Sequence, residues 1–175
     1  PRNPEGTYYG QIGRNTPVRV SVDSGSVAAL VPGAVGDFIS TPDTGVLDIT
    51  GDIDIRFDGT LSNWVLADYT ISQGGFVVSA RTELIGKSAL SNRSWNLYVN
   101  EGLLLLEWST DGSSQNTAAS TEPVPVPASG RLAVRATLDV NNGFGGHDVE
   151  FYTSDSIDGV WEKLGETVTG AGTTS

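Results

Sequence analysis

The segment "TGDIDIRFDG", residues 50–59, places charged side chains at alternate positions: Asp52, Asp54, Arg56 and Asp58. Acidic residues at positions i and i+2 can chelate a metal ion, or act as acid and base in sugar hydrolysis. On a strand such neighbours lie on one face, about 7 Å apart. Retaining sugar hydrolysis needs two carboxyls about 5–5.5 Å apart across a cleft, one of them with a raised pKa. A solvated strand face supplies no burial that would raise it.

The residues between these charges are apolar: Ile53, Ile55 and Phe57. Alternation of apolar and polar residues is typical of a half-buried strand. The segment is therefore predicted to be a strand whose charged side is solvated. A weak calcium site at its carboxylates is the alternative.

Other catalytic patterns are incomplete. His147 is the only histidine, and the chain has no cysteine and no Gly-x-Ser-x-Gly motif that could supply a nucleophile. The nearby "GFGG" lacks the Lys-Ser/Thr and the following helix of a phosphate loop, so it predicts a hairpin tip. We expect no enzymatic activity, no catalytic residue, no cofactor and no metal beyond the calcium alternative.

The net charge limits the classes of molecule that the chain is expected to bind. Ten Lys and Arg stand against 21 Asp and Glu, a net charge of −11. A surface of that sign repels phosphate backbones and anionic lipids, so nucleic acid and membranes are not expected as partners. No apolar run approaches the roughly 20 residues that span a bilayer.

Strand patterns recur along the chain, and no helical periodicity is convincing. Alternating segments are "PVRVSV", "SWNLYV", "LLLLEW", "RLAVRATL" and "DVEFYT", with turn clusters rich in Gly, Asn, Asp and Ser between them. The "EPVPVP" segment is predicted to run along a sheet edge or outside it. The sequence therefore predicts an all-β protein, a jelly-roll β-sandwich of antiparallel strands. An immunoglobulin-type sandwich is the rival, but its unit is shorter.

Four aromatic residues are candidate contacts for a glycan or a partner protein. Tyr98 and Tyr152 fall in the outward phase of their strands, and Trp64 and Trp161 lie near loop ends, where we expect exposure. Aromatic side chains on a sheet face suit sugar stacking and subunit packing equally. Trp95 and Trp108 fall in the inward phase and are assigned to the core.

From about Gly36 onward the sequence resembles a LamG domain, the concanavalin A-like lectin and glucanase sandwich. The resemblance is carried by "GDFISTPDTGVLDITGDIDIRF", by "ELIGKSALSNRSWNLYVNEGLLLLEWS", and by "RLAVRATLD" followed by "HDVEFYTS". The amino-acid sequence is most similar to LamG-bearing minor tail proteins of phages that infect actinobacteria. Laminarinase-type glucanases of similar fold carry Glu-x-Asp-x-x-Glu on a strand. Here Asp52 and Phe57 stand where that pattern needs Glu, which excludes its catalytic set.

The resemblance implies a virion structural protein on the exterior of a phage particle, a minor tail component. Its non-enzymatic module would bind host-surface glycan or neighbouring virion proteins, as a homo-oligomer in the particle. The alternatives are a capsid decoration protein and an extracellular carbohydrate-binding module of a glycoside hydrolase. Residues 1–25 are expected to be a connecting arm and residues 26–175 the LamG-like sandwich. We expect further chain at both ends, because the sequence opens on "PRNPEG" and ends on "TGAGTTS".

Overall fold

The structure is a computed structural model that describes residues 51–61, 64–65, 81–89 and 92–174. It also describes, as strand segments only, Thr7–Ile12, Thr16–Ser21, Ile39–Ser40, Thr70–Gln73 and Phe76–Ser79. The segment "SVAALV" at 26–31, whose composition also predicts a strand, lies outside these residues. The chain divides into two compact units, Pro1–Leu47 and Asp48–Ser175. This division falls further along the chain than the predicted end of the arm at residue 25.

The described residues of the first unit form three strands: β1 (Thr7–Ile12), β2 (Thr16–Ser21) and β3 (Ile39–Ser40). They form one antiparallel sheet in the order β2-β1-β3. β1 thus forms within the stretch that the sequence predicts to be a connecting arm.

The described part of the second unit forms eleven strands. They are β4 (Ile53–Thr60), β5 (Thr70–Gln73), β6 (Phe76–Ser79), β7 (Thr82–Ala89), β8 (Asn92–Asn100), β9 (Leu103–Trp108), β10 (Asn116–Ala119), β11 (Arg131–Asp139), β12 (Gly146–Ser154), β13 (Glu162–Lys163) and β14 (Val168–Ala171). The first sheet has the order β10-β9-β8-β7. The second has the order β13-β12-β11-β4, with β14 also paired to β12, and β5 pairs with β6.

Every pair among these described strands is antiparallel. No helix occurs among the described residues, so none there is long and apolar enough to cross a membrane. The predicted all-β class with two antiparallel sheets is confirmed. The jelly-roll connection pattern stays a prediction.

One hydrophobic core joins the two sheets of the second unit, as in a β-sandwich. Its members alternate along the strands with outward polar residues, which is the predicted pattern. From the first sheet they include Trp95, Leu97, Val99, Leu104, Leu106 and Trp108. From the second they include Ile53, Ile55, Val134, Leu138, Val149 and Phe151.

The β8–β9 hairpin turns between the two predicted strands "SWNLYV" and "LLLLEW". Glu101 and Gly102 both have positive φ, 51° and 79°. Two such residues in succession match the twist of the flanking strands. Leu103 and Leu105 on the outer face of β9 are half-buried.

Several strands were not predicted, among them β10 and β14, which carry no apolar alternation. β10 is short and begins at the end of the turn cluster "STDGSSQNT", and β14 lies after Gly165, near the end of the chain. The "EPVPVP" segment runs beside the start of β9, where the Val124 N–H donates to the Gly102 carbonyl at 2.8 Å. Proline at every second position leaves such a segment few donors for a ladder.

Candidate functional site

The outward side of the second sheet holds the charged side chains of the "DIDIRF" strand. Arg56 of β4 lies directly opposite Arg135 of β11, which lies opposite Tyr152 of β12, and Tyr152 lies opposite Lys163 of β13. We call this surface the Arg–Asp face. It consists of Asp54, Arg56, Asp58, Arg131, Arg135, Glu150, Tyr152, Trp161 and Lys163.

Asp54 holds two guanidinium groups at once. Nε and Nη2 of Arg56 donate to its two oxygens at 3.1 and 2.9 Å, and the same atoms of Arg135 donate at 2.9 and 2.9 Å. The hydrogen bonds from Arg56 chiefly lower the pKa of Asp54, and those from Arg135 add to this against a partial burial that raises it. Asp54 is therefore ionised at neutral pH.

Asp58 makes a second paired contact on this face. Nε and Nη2 of Arg131 donate to its oxygens at 2.9 and 2.8 Å, and the Ile157 N–H donates at 3.1 Å. The Arg131 hydrogen bond is the main reason that the pKa of Asp58 is lowered. The contact with Ile157 fastens the loop between β12 and β13 to the face. Ala133, opposite Asp58, points outward yet is fully buried there.

Glu150 anchors the far side of the face. It accepts hydrogen bonds from the Tyr152 hydroxyl, from Lys163 Nζ at 2.9 Å and from the Thr167 hydroxyl at 2.8 Å. These bonds, that of Tyr152 foremost, lower the pKa of Glu150 to about 2. The hydrogen bond between Tyr152 and Glu150 also raises the pKa of the Tyr152 hydroxyl, because ionisation of the hydroxyl would break that bond.

The two aromatic side chains of the face each lie beside a guanidinium. The Arg135 guanidinium carbon lies 5.0 Å from the centroid of the Tyr152 ring, and that of Arg56 lies 5.8 Å from the Trp161 ring. Both distances allow cation–π attraction. Tyr152 and Trp161 are half-buried, so each keeps surface open to solvent.

Tyr98 points outward from the first sheet, as its strand phase predicts, but is only 5% exposed. Its hydroxyl donates to Glu107 at 2.9 Å, and the Arg81 guanidinium lies 4.3 Å from the ring centroid. Burial, and then the bond to Glu107, raise the pKa of Tyr98 to about 12. Tyr98 therefore has little surface to offer a ligand.

The expected exposure of Trp64 is wrong. Trp64 is 1% exposed and belongs to the core, with its ring edge-on to Phe57 at a centroid distance of 6.5 Å. Its indole N–H donates to the Gly130 carbonyl at 2.7 Å. This bond lets an indole enter the core with its polar group satisfied.

His147 and Asp52 each make contacts of their own, away from the Arg–Asp face. The His147 ring lies edge-on to Trp108 at 5.4 Å, and its Nδ1 bonds the Gly172 carbonyl at 2.8 Å. Asp52 accepts the Val140 N–H at 3.0 Å and stands just before β4. Within the described ranges, no three His, Asp or Glu side chains come together as a metal site.

Of the four candidate contact residues, the structure brings Tyr152 and Trp161 to one face and places Trp64 and Tyr98 elsewhere. The alternation in "RLAVRATL" directs Arg131 and Arg135 outward, but it does not reveal them, or Glu150 and Lys163, as members of a site. The signal was present in part, because Arg and acidic residues recur at alternate positions on three strands.

No protein-family model, curated protein or solved structure matches the chain. The resemblance to LamG domains therefore stays a prediction from the sequence.

Proposed function

We propose that the chain is a non-enzymatic contact module of a phage virion structural protein, a minor tail component. Its contact surface is the Arg–Asp face, and its ligand is glycan of the host surface. The observation that carries the proposal is the juxtaposition of two half-exposed rings, Tyr152 and Trp161, with guanidinium groups held in place by carboxylates. Rings supply stacking surface, and fixed polar groups supply orientation.

The state of the carboxyl groups favours binding over hydrolysis. A glycosidase needs one carboxyl with a raised pKa to protonate the leaving oxygen. The pKa values of Asp54, Asp58 and Glu150 are all lowered: those of Asp54 and Asp58 chiefly by hydrogen bonds from arginine, and that of Glu150 by hydrogen bonds from Tyr152 first and then from Lys163. These groups hold guanidinium and ammonium groups in position instead of giving protons.

Contact with a neighbouring virion subunit is the second candidate, and exposed apolar residues favour it. Ile157 and Val160, in the loop that carries Trp161, are 41% and 86% exposed. Trp, Tyr and Arg are also the residues that most often dominate protein interfaces. Such a contact would use the loop edge of the Arg–Asp face.

The test uses the chain fused to a trimerising domain, because weak single sites gain avidity when several act together. The trimer is incubated with insoluble cell-wall polysaccharide purified from actinobacterial cells, and the bound fraction is measured by sedimentation. We expect binding without release of reducing sugar, and loss of binding in the variant Arg56→Gln/Trp161→Ala. The matched control is Arg93→Gln on the first sheet, which makes the same change of charge.

The outcomes separate the candidates. Release of reducing sugar contradicts the binding-only proposal. If the double variant binds as well as the parent, the Arg–Asp face is not the contact surface. If the trimer ignores wall polysaccharide but Val160→Ser disrupts its association with purified virion proteins, the subunit contact replaces glycan adhesion.

A further inference from the structure

The Arg–Asp face gathers basic residues in a chain that has few. Four of the 10 Lys and Arg residues lie on it, although the whole chain carries 21 Asp and Glu. Three of the four, Arg56, Arg135 and Lys163, lie in one row across the strands, with Tyr152 between them. The row crosses three strand spacings, about 14 Å.

Each of the three arginines of the face binds a carboxylate through the same edge of its guanidinium group. In Arg56, Arg131 and Arg135, Nε and Nη2 form the pair of hydrogen bonds to a carboxylate of the face. A guanidinium has five N–H donors, and each of these pairs uses two. The Nη1–Nη2 edge of each guanidinium makes no hydrogen bond to any described residue, and that edge is also able to bind a carboxylate in bidentate fashion.

The charges are also unevenly matched in the row. Arg56 and Arg135 are direct cross-strand neighbours of like charge, and they share the single carboxylate of Asp54. Like charges directly opposite each other on a sheet are destabilising. An additional anion beside the two guanidinium groups would relieve that repulsion. Side-chain exposures of 43% for Arg56 and 54% for Arg131 leave those groups accessible.

The neighbouring carboxylates are already engaged. Asp148, the next outward residue of β12 after Glu150, accepts hydrogen bonds from Asn142 and Thr169 at 3.0 and 2.8 Å. Asp139 at the end of β11 accepts the N–H of Asn141 at 3.0 Å. Asp139 and Asp148 lie opposite each other, four residues along their strands from Arg135 and Tyr152.

From this geometry we infer that the ligand of the Arg–Asp face is an acidic polysaccharide, one whose sugars carry carboxylate groups. The inference rests on the proposed function and names the class of glycan. The Nη1–Nη2 edges of Arg56, Arg131 and Arg135 bind the carboxylates, so that several sugars of one polymer are bound together. Tyr152 and Trp161 contact the sugar rings.

The test compares two polymers that differ only in the carboxyl group: polygalacturonate and its fully methyl-esterified form. Each is immobilised, and binding of the trimeric chain is measured in EDTA by an optical biosensor. We expect binding to polygalacturonate, weakening with added salt, and at least about tenfold less binding to the ester, since bonds to charged groups are the strong ones. Polyglutamate serves as the acidic peptide and is expected to bind at least about tenfold less tightly as well, because it has no sugar ring to stack.

Variants locate the interaction. Arg56→Gln and Arg131→Gln should each weaken polygalacturonate binding by about tenfold, and Arg56→Lys should do nearly the same because it keeps the charge but loses the planar edge. Arg93→Gln should bind like the parent, and thermal melting verifies that each variant is folded. Equal binding to the ester or to polyglutamate, absence of binding to polygalacturonate, or equal loss in Arg93→Gln overturns the inference. If wall polysaccharide is still bound through the Arg–Asp face in those cases, the proposed function stands.

Discussion

Asp54 and Arg135 lie 81 residues apart in the sequence and are joined by two parallel hydrogen bonds of 2.9 Å. The pair fastens β4 to β11 on the outer side of the second sheet, in addition to the backbone ladder. Because Asp54 also holds Arg56, one carboxylate fixes the direction of two guanidinium groups. The Arg–Asp face is therefore an ordered surface whose charged groups are oriented before any ligand arrives.

The stability effect of Asp54→Asn should be small. The Asp54 side chain is 41% exposed, and exposed ion pairs contribute about 0–1 kcal/mol, so we expect a loss of about 1 kcal/mol or less in the free energy of unfolding. Urea denaturation measures it, with and without calcium. A loss of several kcal/mol together with stabilisation of the parent by calcium would restore the metal-site alternative for this strand.

Truncation of the neighbouring residue should have a much larger effect. Ile55 is 5% exposed and belongs to the core shared by the two sheets. Ile55→Ala removes buried methyl groups and leaves a cavity, at a cost of about 2–5 kcal/mol. The same urea titration measures it, with Asp54→Asn as the matched variant on the opposite side of the strand. Similar losses for both substitutions would contradict the assignment of the two faces.

The two substitutions test a feature of the fold that could be predicted from the sequence, namely which side of the strand each residue faces. Alternation identified the inward Ile53 and Ile55 and the outward Asp54, because period 2 depends on neighbours in sequence. It did not reveal that Asp58 meets Arg131, since their contact depends on which strands become adjacent. β10 and β14 were missed because short segments of small and polar residues carry no periodic signal.

Orientation outside regular strands was predicted least well. Trp64 stands in "LSNWV", where no alternation indicates a direction, and the hydrogen bond to Gly130, 66 residues away, draws it inward.

Tyr98 does point outward, but Arg81 and Glu107 enclose it. Phase alone gives direction and not exposure.

Acid should weaken the contribution of Glu150. Its pKa in the folded chain is about 2, below the usual 4.5, so the stabilisation is complete above the unfolded value and is lost as the pH falls through the folded one. The difference in unfolding free energy between the parent and Glu150→Gln should be constant above about pH 5 and shrink steadily toward about pH 2. Denaturant titrations over this range measure it. A difference that does not change with pH would show that these hydrogen bonds do not favour the ionised carboxylate.

Trp64 and Trp161 should respond oppositely to replacement by phenylalanine. Trp64→Phe loses a buried hydrogen bond and core contacts, and we expect a cost of about 1–3 kcal/mol with unchanged polysaccharide binding. Trp161→Phe, at a half-buried site, should change stability by about 0.5 kcal/mol or less but weaken binding. Thermal or urea unfolding, paired with the sedimentation assay, tests both. Loss of binding in a stable Trp64→Phe variant would place the contact elsewhere.

The most direct measurement of the central claim is nuclear magnetic resonance of the side-chain N–H groups during titration with soluble wall polysaccharide. The chain has four tryptophans, and three of them, Trp64, Trp95 and Trp108, are buried and serve as internal controls. We predict that the indole signal of Trp161 and the Nε signals of Arg56, Arg131 and Arg135 shift together, while the three buried indoles stay in place. Shifts confined to Arg81 and Arg93 on the first sheet, with Trp161 unmoved, would contradict the Arg–Asp face as the contact surface.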